Sequence, residues 1–190
     1  MTSDPKEPQS SELVLDASAL INILGCGKPS HLLRCLGRVC VVEERVLGEL
    51  KRHPVPGLDA KAEVDVLVQQ GLIRLVRMTD DEYDVYLRFA AASGVPGLGT
   101  GESAALAIAS SPGVCHAVVL DDRKARHRTA TRLPSLRVVS SVMLFLEAAA
   151  NASLDQDEVR SLFAAARDNA SMCVLKEDRL LVAHLRLDEA

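Results

Sequence analysis

Short apolar runs alternate with longer amphipathic stretches along most of the chain. Leu13-Val14-Leu15 stops at Asp16, and Val39 to Val42 stops at Glu43. Leu72 to Val76, His116 to Leu120 and Leu136 to Val139 are similar runs. Apolar runs this short, bounded by polar or turn residues, read as buried strands. Between them, Ser18 to Leu24 predicts a helix closed by Gly25 and Gly27. A second helix is expected from about Glu43 to His53, ended by Pro54 and Pro56. Over residues 59–70, Ala60, Val64, Leu67 and Val68 share one stripe, while Ala62, Val66 and Gln69 fall off it. Thr79 opens a helix that runs to about Ala92, and another begins near Gly101 and ends by Ser111. A basic helix follows Asp121-Asp122. Two more are expected at about 141–150 and 154–168, the latter with Ser153 as its N-cap and Gln156 at the capping-box position. Residues 172–187 end the chain with an apolar segment whose type the pattern leaves open. Residues 1–12, polar and holding two prolines, read as a loose tail.

Strands alternating with longer helices imply right-handed crossovers and a parallel sheet covered on both faces. The expectation is therefore one α/β domain over residues 13–140, three layers deep, with a central parallel sheet of about five strands. Residues 141–190 are expected as a helical extension packed on it. A chain of 190 residues buries about 70% of its unfolded surface, enough for a core of useful size.

Composition narrows the class. Apolar residues are 48% of the chain and charged residues 25%, which argues against a mainly disordered chain. No apolar run reaches the roughly 20 residues of a membrane span, and the N-terminus has neither a basic start nor an apolar stretch of the secretory kind. The net charge of −4 makes general polyanion binding improbable, so any nucleic-acid contact must come from a local basic patch. Five cysteines (Cys26, Cys35, Cys40, Cys115, Cys173), an odd set without C-x-x-C spacing, fit reduced thiols in a cytoplasm.

In an open α/β sheet the ligand site lies beyond the carboxyl ends of the strands. Asp16 follows the first run there, and Asp121 and Asp122 follow the fourth. Glu102 lies in the first turn of a helix preceded by glycines, and Glu49 in the expected helix after the second strand. Taken singly, each has an ordinary explanation: a cap or turn for Asp16, a solvated helix face for Glu49, the helix dipole for Glu102, a cap for Asp122. Taken together, acids at several element ends are what a hard divalent cation such as Mg²⁺ or Mn²⁺ requires. Clustered carboxylates raise one another's pKa, and a bound cation resolves that conflict. The chemistry suggested is phosphodiester hydrolysis.

Four blocks carry a resemblance. They are Leu13-Val14-Leu15-Asp16-Ala17-Ser18-Ala19-Leu20-Ile21, Val41-Val42-Glu43-Glu44-Arg45-Val46-Leu47-Gly48-Glu49-Leu50, Gly99-Thr100-Gly101-Glu102-Ser103-Ala104-Ala105-Leu106-Ala107 and Val118-Val119-Leu120-Asp121-Asp122-Arg123-Lys124-Ala125-Arg126. In this order they resemble the PIN domain, the fold of VapC-type toxin ribonucleases and related nucleases. The match covers about residues 13–140. The resemblance implies metal-ligand and catalytic roles for Asp16, Glu49, Glu102 and one of Asp121 and Asp122, with the family's Thr-x-Asp frame favouring Asp122. It implies that Ser18 holds a metal-bound water or orients Asp16. It also implies a Mg²⁺- or Mn²⁺-dependent endoribonuclease with RNA as substrate and, for a toxin, an antitoxin partner and a homodimer.

The stretch Arg123 to Arg132 holds five Lys or Arg and no acid, and Arg123, Lys124 and Arg126 are candidates for phosphate contacts, against a solvated helix face. Aromatic residues are only 3% of the chain, so base stacking cannot dominate. Gly97-Leu98-Gly99-Thr100-Gly101 lacks the spacing and the Lys of a phosphate-binding loop. A haloacid-dehalogenase-type phosphatase is excluded because Ser18 stands where its second aspartate belongs. A response-regulator receiver is excluded because the third run ends in Val76-Arg77. The rival from another class is a PIN-like RNA-binding or regulatory module without turnover. A DNA-directed flap nuclease needs threading segments for which 190 residues leave little room.

Overall fold

In the computed structural model, which describes residues 12–91, 97–111, 117–152 and 154–187, the apolar runs form five strands. These are β1 (Leu13–Leu15), β2 (Cys40–Glu43), β3 (Ile73–Val76), β4 (Ala117–Val119) and β5 (Arg137–Val139). All pair in parallel, in the order β3-β2-β1-β4-β5. Leu13 lies beside Cys40 on one side and Ala117 on the other. Every residue of the central strands β1, β2 and β4 is buried, as expected of a parallel sheet with both faces covered. The edge strands expose Arg74 and Arg137.

The helices are α1 (Ala17–Gly25), α2 (Pro29–Leu36), α3 (Glu44–Leu47), α4 (Ala60–Gln69), α5 (Asp80–Ala90), α6 (Thr100–Ala109), α7 (Arg123–Arg132), α8 (Ser141–Ala152), α9 (Gln156–Ala170) and α10 (Arg179–His184). The period of two along each strand sorts them into layers. Leu13, Leu15, Val42 and Val119 pack with α1, α2, α4, α8 and α9, whereas Val14, Val41 and Val118 pack with α5, α6 and α7. The result is the PIN-like three-layer α/β/α arrangement with five parallel strands. Phe145 of α8 and Phe163 of α9, fully buried and edge-on at 6.2 Å, belong to the same core as β1.

Three local features differ from the sequence pattern. The helix expected over Glu43 to His53 ends at Leu47. Gly48, Glu49 and Leu50 instead donate to the carbonyls three residues back, tightening the chain into a turn that Pro54 and Pro56 do not let resume as a helix. Glu49 therefore sits in a turn rather than inside a helix. The cap of α9 is Asp155, which accepts from the backbone N–H of Glu158, rather than Ser153, which lies outside the described residues. The apolar pattern does not predict α2, although Pro29 opens it and Gly37, at φ +67°, closes it. The undecided C-terminal segment carries the short α10.

The strand order reverses at β1. Chain from β1 runs outward through β2 to β3, then returns to β4 on the other side of β1. The crevice at the carboxyl ends of β1 and β4 is thus the topological switch point, where α/β sheets bind their ligands.

Candidate metal centre

Asp16 stands at that switch point. β1 ends one residue before it, and its side chain caps α1, with Oδ1 accepting from the Ala19 N–H at 2.7 Å. Cap and ligand readings are compatible, because only one oxygen is used. Oδ2 is buried and has no hydrogen-bond partner, and the residue as a whole is 1% exposed. Burial is the main force that pushes the Asp16 carboxyl up to about 8. The Ala19 N–H opposes it, and the negative charges of Asp121, Glu102 and Glu49 add to it.

The other acids come from separate elements. Glu49, in the turn after α3, accepts the Gly101 N–H through Oε1 at 2.6 Å. The approach is tight: a Cβ on Gly101 would lie 3.1 to 3.2 Å from the Glu49 carboxylate, which would have to give by a few tenths of an ångström. Glu102, in the first turn of α6, folds back to accept the Gly99 N–H through Oε2 at 3.0 Å. Its carboxyl is raised above the usual range, first by burial and then by Asp122 and Glu49, with the Gly99 N–H and Lys124 pulling the other way. Asp121, just beyond β4, accepts from the Ser141 N–H at 2.8 Å and from Asn22 Nδ2 at 2.9 Å, and also from the Ser141 hydroxyl. Burial raises its carboxyl, and those donors hold the rise down. Asp122 is exposed and caps α7 through the Ala125 N–H at 2.7 Å.

Ser18, Glu102, Asp121, Asp122 and Arg123 line one cleft of about 670 Å³, whose far wall is the chain from Ala170 to Arg179. Of the three basic residues proposed for phosphate contact, Arg123 faces this cleft. Lys124 Nζ donates to the Gly97 carbonyl at 2.8 Å, and Arg126 holds the Leu120 carbonyl at 3.1 Å and Glu177 at 3.3 Å.

A family model for PIN domains matches residues 12–179. The chain belongs to the PIN domain family. No curated protein and no solved structure matches it. The matched span runs well past residue 140, in keeping with the packing of α8 and α9 into the core beside β1.

PIN domains are generally nucleases that use divalent metal ions. Among the described residues, no three His, Cys, Asp or Glu side chains converge into a ready-made cage. The donor set nonetheless fits a hard cation: all the candidates are carboxylate oxygens, they interact as like charges, and Asp16 Oδ2 is buried without any partner. Two residues at this site escaped the sequence reading. Asn22, the buried polar side chain of α1, donates to both Asp121 and the Ser141 hydroxyl, and Ser141 opens α8. The available signal was a polar amide four residues after Ser18, hence on the same helical face. The partnership with Ser141 spans 119 residues of sequence, and no local pattern shows it.

Proposed function

We propose that this PIN domain is a Mg²⁺- or Mn²⁺-dependent endoribonuclease. The observation that carries the reading is the buried, partnerless Oδ2 of Asp16 at the switch point of the sheet, in the field of Glu49, Glu102 and Asp121. Asp16, Glu49, Glu102 and the Asp121/Asp122 corner are the groups that hold the ion. A divalent ion there supplies charge neutralisation and a water of lowered pKa for in-line attack on a phosphodiester.

The chain's own residues do the rest. Asn22 and Ser141 fix the Asp121 carboxylate, the kind of support that orients a ligand. The Gly101 N–H fixes Glu49. Arg123, at the N-terminal end of α7 and on the cleft wall, is placed to hold a phosphate of the substrate. Ser18, exposed on the first turn of α1, is placed to position a water or Asp16. Lys124 and Arg126 reach the strand after exchanging their protein partners for phosphate oxygens.

Incubation with labelled RNA and Mg²⁺ tests the proposal. Wild-type chain should cut it, and Asp16→Asn should not; equal cleavage by both refutes the role given to Asp16. Matched DNA in parallel reactions should survive. Absence of turnover together with tight RNA binding would favour the non-catalytic module. The likeness to VapC-type toxins extends the proposal to a toxin with an antitoxin partner, acting as a homodimer. Its test is the neighbouring open reading frame, which should encode a small DNA-binding protein.

A further inference from the structure

A second cleft, of about 890 Å³, lies on the chain from Leu50 to Lys61. Lys51, Arg52 and Lys61 line it, and all three are exposed. Asp59 is the only carboxylate among its lining residues, and that charge is committed: Oδ1 accepts the N–H groups of Lys61 and Ala62 at the start of α4. The cleft is therefore positive in a chain whose net charge is −4.

The loop that carries these cations is braced. His53, 6% exposed, accepts the Val55 N–H at 2.9 Å and pairs with Glu63 of α4 through its other ring nitrogen. Pro54 and Pro56 fix backbone angles between them. A braced loop loses less conformational freedom when a ligand binds.

The two clefts adjoin at the C-terminal end of α9. Asn169, which lines the basic cleft, directly precedes Ala170, which lines the acidic cleft. Consecutive Cα atoms are about 3.8 Å apart, so this wall passes from one cleft to the other without a gap. Asn169 is held there by donating to the Gly25 carbonyl at 2.9 Å. We propose that a single-stranded segment of the RNA leaves the acidic cleft past the C-terminal end of α9 and enters the basic cleft, where Lys51, Arg52 and Lys61 contact backbone phosphates beyond the scissile one. This rests on the ribonuclease reading. No Phe, Tyr or Trp lines the basic cleft, and its one imidazole, His53, is buried and committed to Val55 and Glu63, so the cleft grips the backbone without reading bases.

The test measures anisotropy of labelled oligoribonucleotides of about 3 and about 12 nucleotides on full-length Asp16→Asn protein. The same background then carries Lys51→Glu, Arg52→Glu and Lys61→Glu together, with a Gln triple variant as the milder second form. Circular dichroism verifies that each is folded. The 12-mer should bind about tenfold more weakly to the variants, and the slope of log affinity against log salt should flatten by about 2, the release expected from three lost phosphate contacts on a single strand. The 3-mer should be unaffected. Equal affinity of the 12-mer for parent and variants overturns the proposal while leaving the nuclease intact. Retained RNA binding with loss of poly-glutamate binding assigns the cleft to an acidic protein segment and also overturns it. Failure of the wild-type chain to bind or cut any RNA overturns both readings.

Discussion

The acidic and the basic cleft adjoin, yet they carry their charges under opposite conditions. In the basic cleft, Lys51, Arg52 and Lys61 stand in water, where an unpaired cation costs little. At the acidic site, Asp16 is sealed between β1 and α1, behind the lining of the cleft, and Glu102 and Asp121 are partly buried among like charges. Exposed cations attract a polyanion at range and tolerate exchange for one another. Buried carboxylates do neither; they hold a fixed geometry that strains the fold until a counter-charge arrives. On the readings proposed above, binding and chemistry are separated in space, and each region should fail in its own way when altered.

The largest effect expected is on stability against pH. The Asp16 carboxyl is raised in the folded chain, to about 8 from 3.8, so the native state holds the proton more tightly than the unfolded one. Its contribution is complete below pH 3.8 and is lost progressively as pH rises to about 8. Within that window the slope from this group is about 1.4 kcal/mol per pH unit in the absence of divalent ions. Asp16→Asn keeps the cap, because an amide oxygen can still accept the Ala19 N–H, and removes the ionisation. Denaturant titrations in EDTA from pH 4 to pH 9 should show the variant overtaking wild type as pH rises. Parallel curves would mean that Asp16 is not the strained group. Changing Lys51 should leave the curve unmoved.

Much of this contrast was legible in the sequence, because charges that interrupt apolar runs are easy to see. Leu13-Val14-Leu15 followed by Asp16 gave both the strand and the acid at its end, and Thr79 gave the start of α5. What stayed hidden depended on backbone geometry or on distance. Glu49 stands out as an acid, but the pattern puts it in a helix, since nothing local reveals that Gly48 to Leu50 tighten into a turn. That turn is what lets its carboxylate meet Gly101, 52 residues away. Asn22 and Ser141 were invisible for the same reason: their value lies in a contact that only the assembled sheet creates. The basic cleft was missed because Lys51 and Arg52 form only a pair, which a proline-rich loop separates from Lys61.

Activity should separate the clefts next. Asp16→Asn should lower kcat about a thousandfold, the scale of several kcal/mol carried by a metal-held transition state. Neutralising Lys51, Arg52 and Lys61 should instead raise KM for long RNA and leave kcat near wild type. Single-turnover and steady-state rates on the same oligoribonucleotide distinguish the two. A matching drop in kcat from both would erase the division of labour.

A smaller effect, of about 10- to 100-fold in kcat, is expected from Gly101→Ala. The new Cβ meets the Glu49 carboxylate at 3.1 Å and pushes it by a few tenths of an ångström. Alanine is favoured over glycine in a helix by about 1 kcal/mol, which offsets the cost of shifting the carboxylate, so the melting temperature should change little. Lost activity with intact stability would place Glu49 in the chemistry. Unchanged activity would return it to a surface role. Glu49→Gln should reproduce the loss without the steric change.

The mildest expected loss is about tenfold, from Asn22→Ala. The amide donates to Asp121 Oδ2 at 2.9 Å and to the Ser141 hydroxyl at 3.1 Å, so it ties the acid beyond β4 to the start of α8. Removing it leaves Asp121 held by Ser141 alone, through the backbone N–H and the hydroxyl. The acid keeps its place but gains freedom to turn. The expected signature is a weaker apparent affinity for Mg²⁺ with RNA affinity unchanged, read from the rate as a function of ion concentration. Asn22→Asp sharpens the result. A carboxylate there would face Asp121 and add a like charge in a buried setting, so it should destabilise the chain at neutral pH and recover stability as the pH is lowered. Neither change touches the basic cleft, and neither should alter the length dependence of RNA binding that Lys51, Arg52 and Lys61 set.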